Sequence, residues 1–371
     1  SEPRKVTKTG LDASPATGRC ACGRQPGGRD SMTITAAAAS ANAPRRVMVT
    51  GAGGYLGRQV VAALDAAQRT SPVAVSCVLA LDVRAMPAAQ RLPGVHYASA
   101  DIRDPALAEQ MHAFGIDTVV HLAAIVTPGR DSDRAFEYQV DVEGTRNVLA
   151  ACLSTQVQHL VVSSSGAAYG YHADNPPWLT EDHPLRGNEE FAYAWHKRLV
   201  EEMLAEHRHS APQLHQTVLR IGTILGRSVN NQITALFLKP RPLAIAGADS
   251  PFVFIWDQDV VAIIVQAVLQ RRGGVYNVAG DGALTIHQIA SRMGKRSRVL
   301  PAALLQAALW VGRWLGLTAY GPEQLRFLRY RPVLDNRRLK QQFGYTPAFT
   351  STEAFDRWWA ARRVGDPKPA P

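Results

Sequence analysis

Acidic residues are what this chain is short of. Its 371 residues carry 31 Asp and Glu against 41 Lys and Arg, a formal charge of +10 with the histidines neutral. An excess of that size invites a nucleic-acid partner, but its placement argues against one. Residues 1–46 hold eight cations against three acids in a segment rich in Gly, Pro, Ser and Ala. Such a composition cannot bury enough apolar surface to order itself. Residues 1–45 therefore read as a disordered basic tail in which Met32 looks like a start, and residues 365–371 as a second frayed end. Cysteine is scarce too. Four residues, at positions 20, 22, 77 and 152, are too few and too scattered for a disulfide framework, and Cys20-Ala21-Cys22 lacks a second pair or nearby histidines to complete a zinc site. Long hydrophobic runs are missing as well. The tail holds no secretory core, and the most apolar stretch, Pro301 to Tyr320, is interrupted by Arg313, whereas a span needs ~20 apolar residues. With Trp310 and Trp314 four apart, that stretch reads as a core or pocket-covering helix rather than a membrane contact. The expectation is a cytoplasmic protein with reduced thiols, no metal and no stable membrane insertion.

What is present is organised around Arg46-Val47-Met48-Val49-Thr50-Gly51-Ala52-Gly53-Gly54-Tyr55-Leu56-Gly57. A short β-branched run reads as a buried strand, a glycine-dense turn follows, and the next segment has helical apolar spacing. Such a junction is built for phosphate, because glycines let backbone N–H groups approach and a helix N-terminus adds favourable partial charge. Further strands are expected at 75–82, 94–98, 117–124, 159–163, 216–221 and 274–278, with helical patterns at 140–153, 193–207, 258–269 and 354–363. Strands alternating with helices at this pitch predict an α/β fold, a Rossmann-type doubly wound parallel sheet. From Gly222 onward the alternation loosens. Residues 46–223, joined by strand 275–278, read as a dinucleotide-binding domain, and residues 224–364 as a smaller, mainly substrate-binding lobe.

Three groups carry chemistry. Asp82 ends the second strand 25 residues after Gly57, where a carboxylate would accept hydrogen bonds from the adenosine ribose and repel a 2′-phosphate, which favours NAD over NADP. Arg84 pulls the other way. Ser163-Ser164-Ser165 closes the fifth strand and points hydroxyls into the crevice where open α/β sheets bind ligands. Tyr193 and Lys197, four apart, share a helix face, and a nearby ammonium favours the phenolate, lowering a tyrosine pKa from ~10.

In order and spacing these elements resemble the extended short-chain dehydrogenase/reductase family, the NAD-dependent epimerase/dehydratase superfamily, over residues 46 to 360. Gly51, Gly54, Tyr55, Leu56 and Gly57 are similar to its cofactor turn, Asp101-Ile102 to its adenine contact, and Leu122-Ala123-Ala124 to the loop under the nicotinamide ribose. The resemblance implies NAD, a homodimer, Tyr193 as general acid/base, Lys197 on the ribose hydroxyls and Ser165 on the substrate oxygen, with Ser164 as the alternative. Tyr169 reads as structural or as a substrate wall.

The departures bear on substrate. Asp141 stands where the family usually has asparagine, and an ionised aspartate accepts but does not donate. Thr223 and Phe252 replace an asparagine and an arginine that grip the diphosphate in sugar-nucleotide members. Phe252, Phe254 and Trp256 suggest an apolar wall instead. The leading expectation is an NAD-dependent alcohol dehydrogenase or ketoreductase acting on an apolar or aromatic, non-nucleotide small molecule. The alternative is an NAD-dependent nucleotide-sugar epimerase, with Arg227 or Arg241 substituting for the lost charge. A non-catalytic NAD-sensing role is a third reading.

Overall fold

The computed structural model describes residues 43–126, 133–315, 321 and 323–365. The expected disordered ends lie outside these residues, apart from 43–45 and 365. β1 (Arg45–Thr50) is followed by α1 (Tyr55–Thr70), β2 (Val75–Asp82), β3 (His96–Ser99), α2 (Leu107–Ala113) and β4 (Thr118–His121). Next come α3 (Arg134–Tyr138), a π-helical turn over Gln139–Glu143, α4 (Gly144–Ser154), β5 (His159–Ser165), α5 (Ala192–Ser210) and β6 (His215–Ile221). The remainder holds β7 (Thr223–Leu225), α6 (Gln232–Leu238), β8 (Leu243–Ile245), β9 (Phe254–Trp256), α7 (Asp257–Gln270), β10 (Gly274–Val278) and α8 (Ile286–Arg292). β11 (Arg298–Leu300), α9 (Ala302–Trp314), α10 (Gln324–Arg329) and α11 (Ser351–Gly365) close it.

The seven-stranded sheet has the order β10-β6-β5-β4-β1-β2-β3, and every pairing in it is parallel. It is the doubly wound sheet that the alternation predicts. Its central strands β1, β2, β4 and β5 are largely buried and read as near-continuous apolar runs, whereas the edge strand β3 has no buried residue. Alternate residues of β1 serve opposite layers: Val47 and Val49 pack with Val260, Ile263 and Ile264 of α7, while Met48 packs with Val148 and Leu149 of α4 and Leu204 of α5. The chain reverses its winding between β1 and β4, which are neighbours in the sheet. That switch point opens a crevice at the strands' C-terminal ends.

Several boundaries differ from expectation for local reasons. β3 starts at His96 because the Val95 N–H turns back to the Leu92 carbonyl at 3.2 Å. β4 stops at His121, with the Leu122 N–H to the Thr50 carbonyl at 3.2 Å as the last rung of its ladder with β1, leaving 122–124 as a loop. The predicted helix 140–153 begins in the π turn, which turns Asp141 and Val142 inward. One expectation fails outright. Helix α9 is neither core nor cover: Trp310 is 62% exposed and Trp314 76%. Leu305 and Leu309 are half-buried, but the indoles meet no partner among the described residues, so period and composition alone misplace the helix. No helix among the described residues is long and apolar enough to cross a membrane.

Two buried histidines lock the sheet. The Thr50 hydroxyl donates to His121 Nδ1 at 2.7 Å, and His121 Nε2 donates to Thr145 Oγ1 at 2.9 Å, since that hydroxyl is itself donated to the Asp141 carbonyl at 2.6 Å. His159 Nε2 donates to Thr217 Oγ1 at 2.8 Å, and its Nδ1 has no partner. Burial depresses both imidazoles from 6.5 to about 3. A histidine whose folded pKa is depressed contributes stability that is complete above its unfolded pKa and is lost as pH falls toward the folded value. Unfolding free energy should therefore fall between pH 6.5 and about 3, by about 1.4 kcal/mol per pH unit for each histidine. Denaturant titrations at stepped pH check this. His159→Leu should remove one proton's share of the slope.

Candidate functional site

The crevice is built from the turn after β1. Gly51 has φ +69°, and a Cβ there would lie 2.7 Å from the Ala123 nitrogen. A Cβ on Gly57 would lie 2.1 Å from the Gly51 carbonyl oxygen. Both positions therefore demand glycine. At the start of α1, Gly54 supplies no side-chain cap and the first turn holds no acid, so nothing from that helix competes for its first N–H groups. Those groups and the helix dipole suit a diphosphate. Asp82, at the end of β2, accepts from the Gly53 N–H at 2.9 Å and from the Arg84 N–H at 3.1 Å. The Ala100 N–H reaches the Asp82 carbonyl at 3.0 Å, which brings Asp101 alongside; Asp101 is paired with Arg103 at 2.6 Å.

The structure thus brings Gly51, Gly54, Gly57, Asp82 and Ala123 to one rim, with Leu122 and Ala124 flanking Ala123. Tyr55 sits there too, and its hydroxyl donates to the buried Asp257 at 2.5 Å. Two of the expected contacts turn their side chains elsewhere. Leu56 packs into the core beside α7, and Ile102 is buried against Gly144, where a Cβ would lie 2.6 Å from it.

On the other side of the crevice Ser165 faces the Tyr193 hydroxyl and favours its ionised form, while the Ser165 hydroxyl accepts from the Ala167 N–H at 3.2 Å. The register of the serine run is resolved: Ser164 turns inward and donates to Glu201, which pairs with Arg220 at 2.8 Å. Tyr169 belongs to that buried network as well, donating to Asn277 Oδ1 at 2.9 Å and receiving Arg220 Nη1 at 2.7 Å. It is structural. Lys197 donates to the Ser163 carbonyl at 2.8 Å, and its Nζ lies 5.7 Å from the Tyr193 ring centre. The expected depression of the tyrosine pKa is not found here. Burial pushes Tyr193 up to about 12, Asp141 acts in the same direction, and only Ser165 opposes. The buried ammonium is itself destabilised, its pKa held below the usual lysine value.

Asp141 explains the departure from asparagine. Its carboxylate accepts from the Ile125 N–H at 2.7 Å, pinning the loop after β4, and from His196 Nδ1 at 3.0 Å. Both side chains are buried. His196 had no assigned role in the sequence, although it is the donor that a buried acid in an asparagine's place requires.

Beyond the tyrosine lies a cavity of about 620 Å³ lined by apolar residues, among them Leu236, Ile245 and Phe252, and by Lys239, Arg241, Arg298 and Arg331. Arg331 is sandwiched 4.0 Å from the Phe252 ring centre and 4.1 Å from that of Phe327, and its Nε and Nη2 are shielded from solvent without a partner among the described residues. Phe327 packs on Tyr171, whose hydroxyl senses both Arg331 and Tyr193. The apolar wall is corrected accordingly. Only Phe252 lines the cavity; Phe254 and Trp256 are core, against Phe355 and Phe349. Arg331 went unnoticed in the arginine-dense segment 326–338. Arg241 does line the cavity, whereas Arg227 does not.

Comparison with known proteins follows the same lines. A model of the NAD dependent epimerase/dehydratase family matches residues 47–279. An uncharacterized protein of Mycobacterium tuberculosis is 28% identical over 322 residues, 86% of this chain and 84% of that one. Among solved structures, a short-chain dehydrogenase/reductase superfamily protein from Agrobacterium tumefaciens with bound NAD is 23% identical. It has a TM-score of 0.64 and covers 86% of this chain and 98% of its own. A UDP-glucose 4-epimerase from Thermotoga maritima, with UDP-glucose, is 18% identical at a TM-score of 0.64, covering 86% and 99%. These structures share the fold.

The Asp141 contacts generate a paired test. Asp141→Asn keeps an acceptor for Ile125, whereas Asp141→Leu removes both contacts and strands two buried donors. Thermal unfolding should show a loss of about 2–4 kcal/mol for the leucine variant and about 1 for the asparagine variant.

Proposed function

The chain belongs to the NAD dependent epimerase/dehydratase family, and from that premise we propose that it is an NAD-dependent oxidoreductase, of alcohol dehydrogenase or ketoreductase type, whose substrate combines an apolar or aromatic body with an anionic group. NAD is its cofactor, and the glycine turn, the uncapped start of α1 and Asp82 fit it. When bound, NAD supplies the hydride acceptor or donor. The observation that carries the substrate class is Arg331, a shielded cation with two unpartnered nitrogens in an apolar cavity. Burying such a charge is costly unless an anion meets it.

Tyr193 would exchange the proton at the substrate's alcohol or carbonyl oxygen. With its pKa pushed up to about 12 it rests as the neutral phenol, which is the form needed to protonate a carbonyl reduced to an alcohol. In the oxidation direction it must first lose that proton, and Lys197 is the cation placed to compensate. Lys197 would also hold the nicotinamide ribose hydroxyls. Ser165, which faces Tyr193, would donate to or accept from the same substrate oxygen and so orient it.

A second reading, an NAD-dependent nucleotide-sugar epimerase, is favoured by the same arginine. It lies against Phe252, the residue standing in place of the family's diphosphate arginine, so the charge lost at one position is restored from the loop just after α10. Net nucleotide reduction separates the two. A dehydrogenase accumulates NADH with a suitable alcohol, whereas an epimerase returns its cofactor oxidised in each turnover.

Tyr193→Phe should lower turnover by about 10²- to 10⁴-fold while NAD binding, measured by titration calorimetry, stays near the wild-type value. Arg331→Leu should raise KM for anionic substrates about tenfold or more and leave kcat nearly unchanged. An unchanged KM would remove the anion from the proposal.

A further inference from the structure

Helix α9 presents an apolar surface on which nothing among the described residues packs. Leu304 is 58% exposed, Trp310 62% and Trp314 76%, and Val311 and Leu315 are exposed beside them. Exposed apolar surface of this extent, with two indoles one turn apart, marks an interaction face rather than ordinary surface variation. Thirteen residues span about 20 Å, too short to cross a bilayer, and no described helix is long and apolar enough to do so. The surrounding charge identifies the partner. From Arg292 to Arg331 the sequence carries eight cations and a single acid, Glu323. Arg292 is paired with Asp356, Arg326 with Glu190, and Arg331 is enclosed between two rings, so the outward charge rests on the others, with Arg296 and Arg298 exposed. The Lys295 ammonium rests on the neutral carbonyls of Phe237, Leu238 and Lys239, at 2.9 to 3.1 Å, so its charge is not cancelled.

We propose that α9 is an interfacial helix that docks the protein on an anionic phospholipid surface. Its indoles and Leu304 enter the boundary between headgroups and acyl chains, where amphipathic rings are favoured. Lys295 and the exposed Arg296 and Arg298 meet the lipid phosphates, and each cation near an anionic leaflet adds to the attraction. A second copy of the chain suits this face poorly, because pairing it with itself would bring two strongly basic segments together. The docking is peripheral and distinct from insertion across the membrane. It also stands apart from the substrate reading, since no α9 side chain lines the cavity.

The test uses the full chain with vesicles of phosphatidylcholine containing about 30% phosphatidylglycerol, the anionic fraction supplying the surface potential, and with pure phosphatidylcholine vesicles. The protein should float with the anionic vesicles, release as salt is raised, and show tryptophan quenching by acyl-brominated lipid. A Trp310→Gln, Trp314→Gln double variant should partition at least about tenfold more weakly and lose the quenching, with NAD affinity unchanged as the control for folding. Equal flotation of variant and wild type would overturn the proposal and assign binding to the basic tail. Failure of the wild type to float would also overturn it. A change in oligomeric state between wild type and variant would make the face a self-interface instead.

Discussion

The carbonyl oxygen of Gly51 leaves no room beside it for a side chain at position 57. A Cβ there would stand 2.1 Å away, so β1 and α1 meet only because both residues are glycine. That contact fixes where α1 starts, and therefore where its unpaired N–H groups point. It also draws Ala123 against Gly51, so the loop after β4 and the turn after β1 form one rim. Thr50 joins the two from beneath: its hydroxyl donates to His121, whose other nitrogen donates to Thr145 at the start of α4. The cofactor edge is thus rigid through backbone contact and a neutral, fully used histidine.

The edge proposed to be catalytic depends on charge rather than on space. Asp141 and Lys197 are buried within range of each other, and both influence neighbouring groups. Asp141 raises the pKa of Tyr193 and of His121 and favours the charged form of Lys197. An acid at this depth persists because the Ile125 N–H and His196 Nδ1 satisfy its two oxygens. The same principle of matched burial appears in the Glu201–Arg220 pair, which takes Ser164 and Tyr169 out of reaction and leaves Ser165 facing Tyr193.

The sheet was legible because its strands are apolar on both faces and separated by helices of ordinary pitch. Position in that sheet then carried the site: Gly51, Asp82, Ala123 and Ser165 all follow or end strands at the same edge, which is a property of any parallel open sheet. Features depending on tertiary neighbours were not legible. Helix α9 has the composition of a core element but lies where no layer faces it. Phe254 and Trp256 share an apolar run with Phe252, yet only one of the three reaches the cavity. Arg331 comes from far along the chain to stack on Phe252, and no local pattern announces such a return. The tyrosine's pKa missed its expectation because the Lys197 ammonium is directed at the Ser163 carbonyl rather than at the phenol, so desolvation prevails with only Ser165 opposing it.

The account rests on a crevice that takes a dinucleotide with a free adenosine ribose, held by Asp82. The most direct measurement is the nucleotide itself: denature the purified protein, identify any dinucleotide released, and compare NAD⁺ and NADP⁺ affinities on the emptied protein. The account predicts NAD as the released species and at least about tenfold tighter binding of NAD⁺, because the carboxylate repels a 2′-phosphate. Equal or tighter binding of NADP⁺ would contradict it, and would make Arg84 rather than Asp82 the residue that reads the ribose.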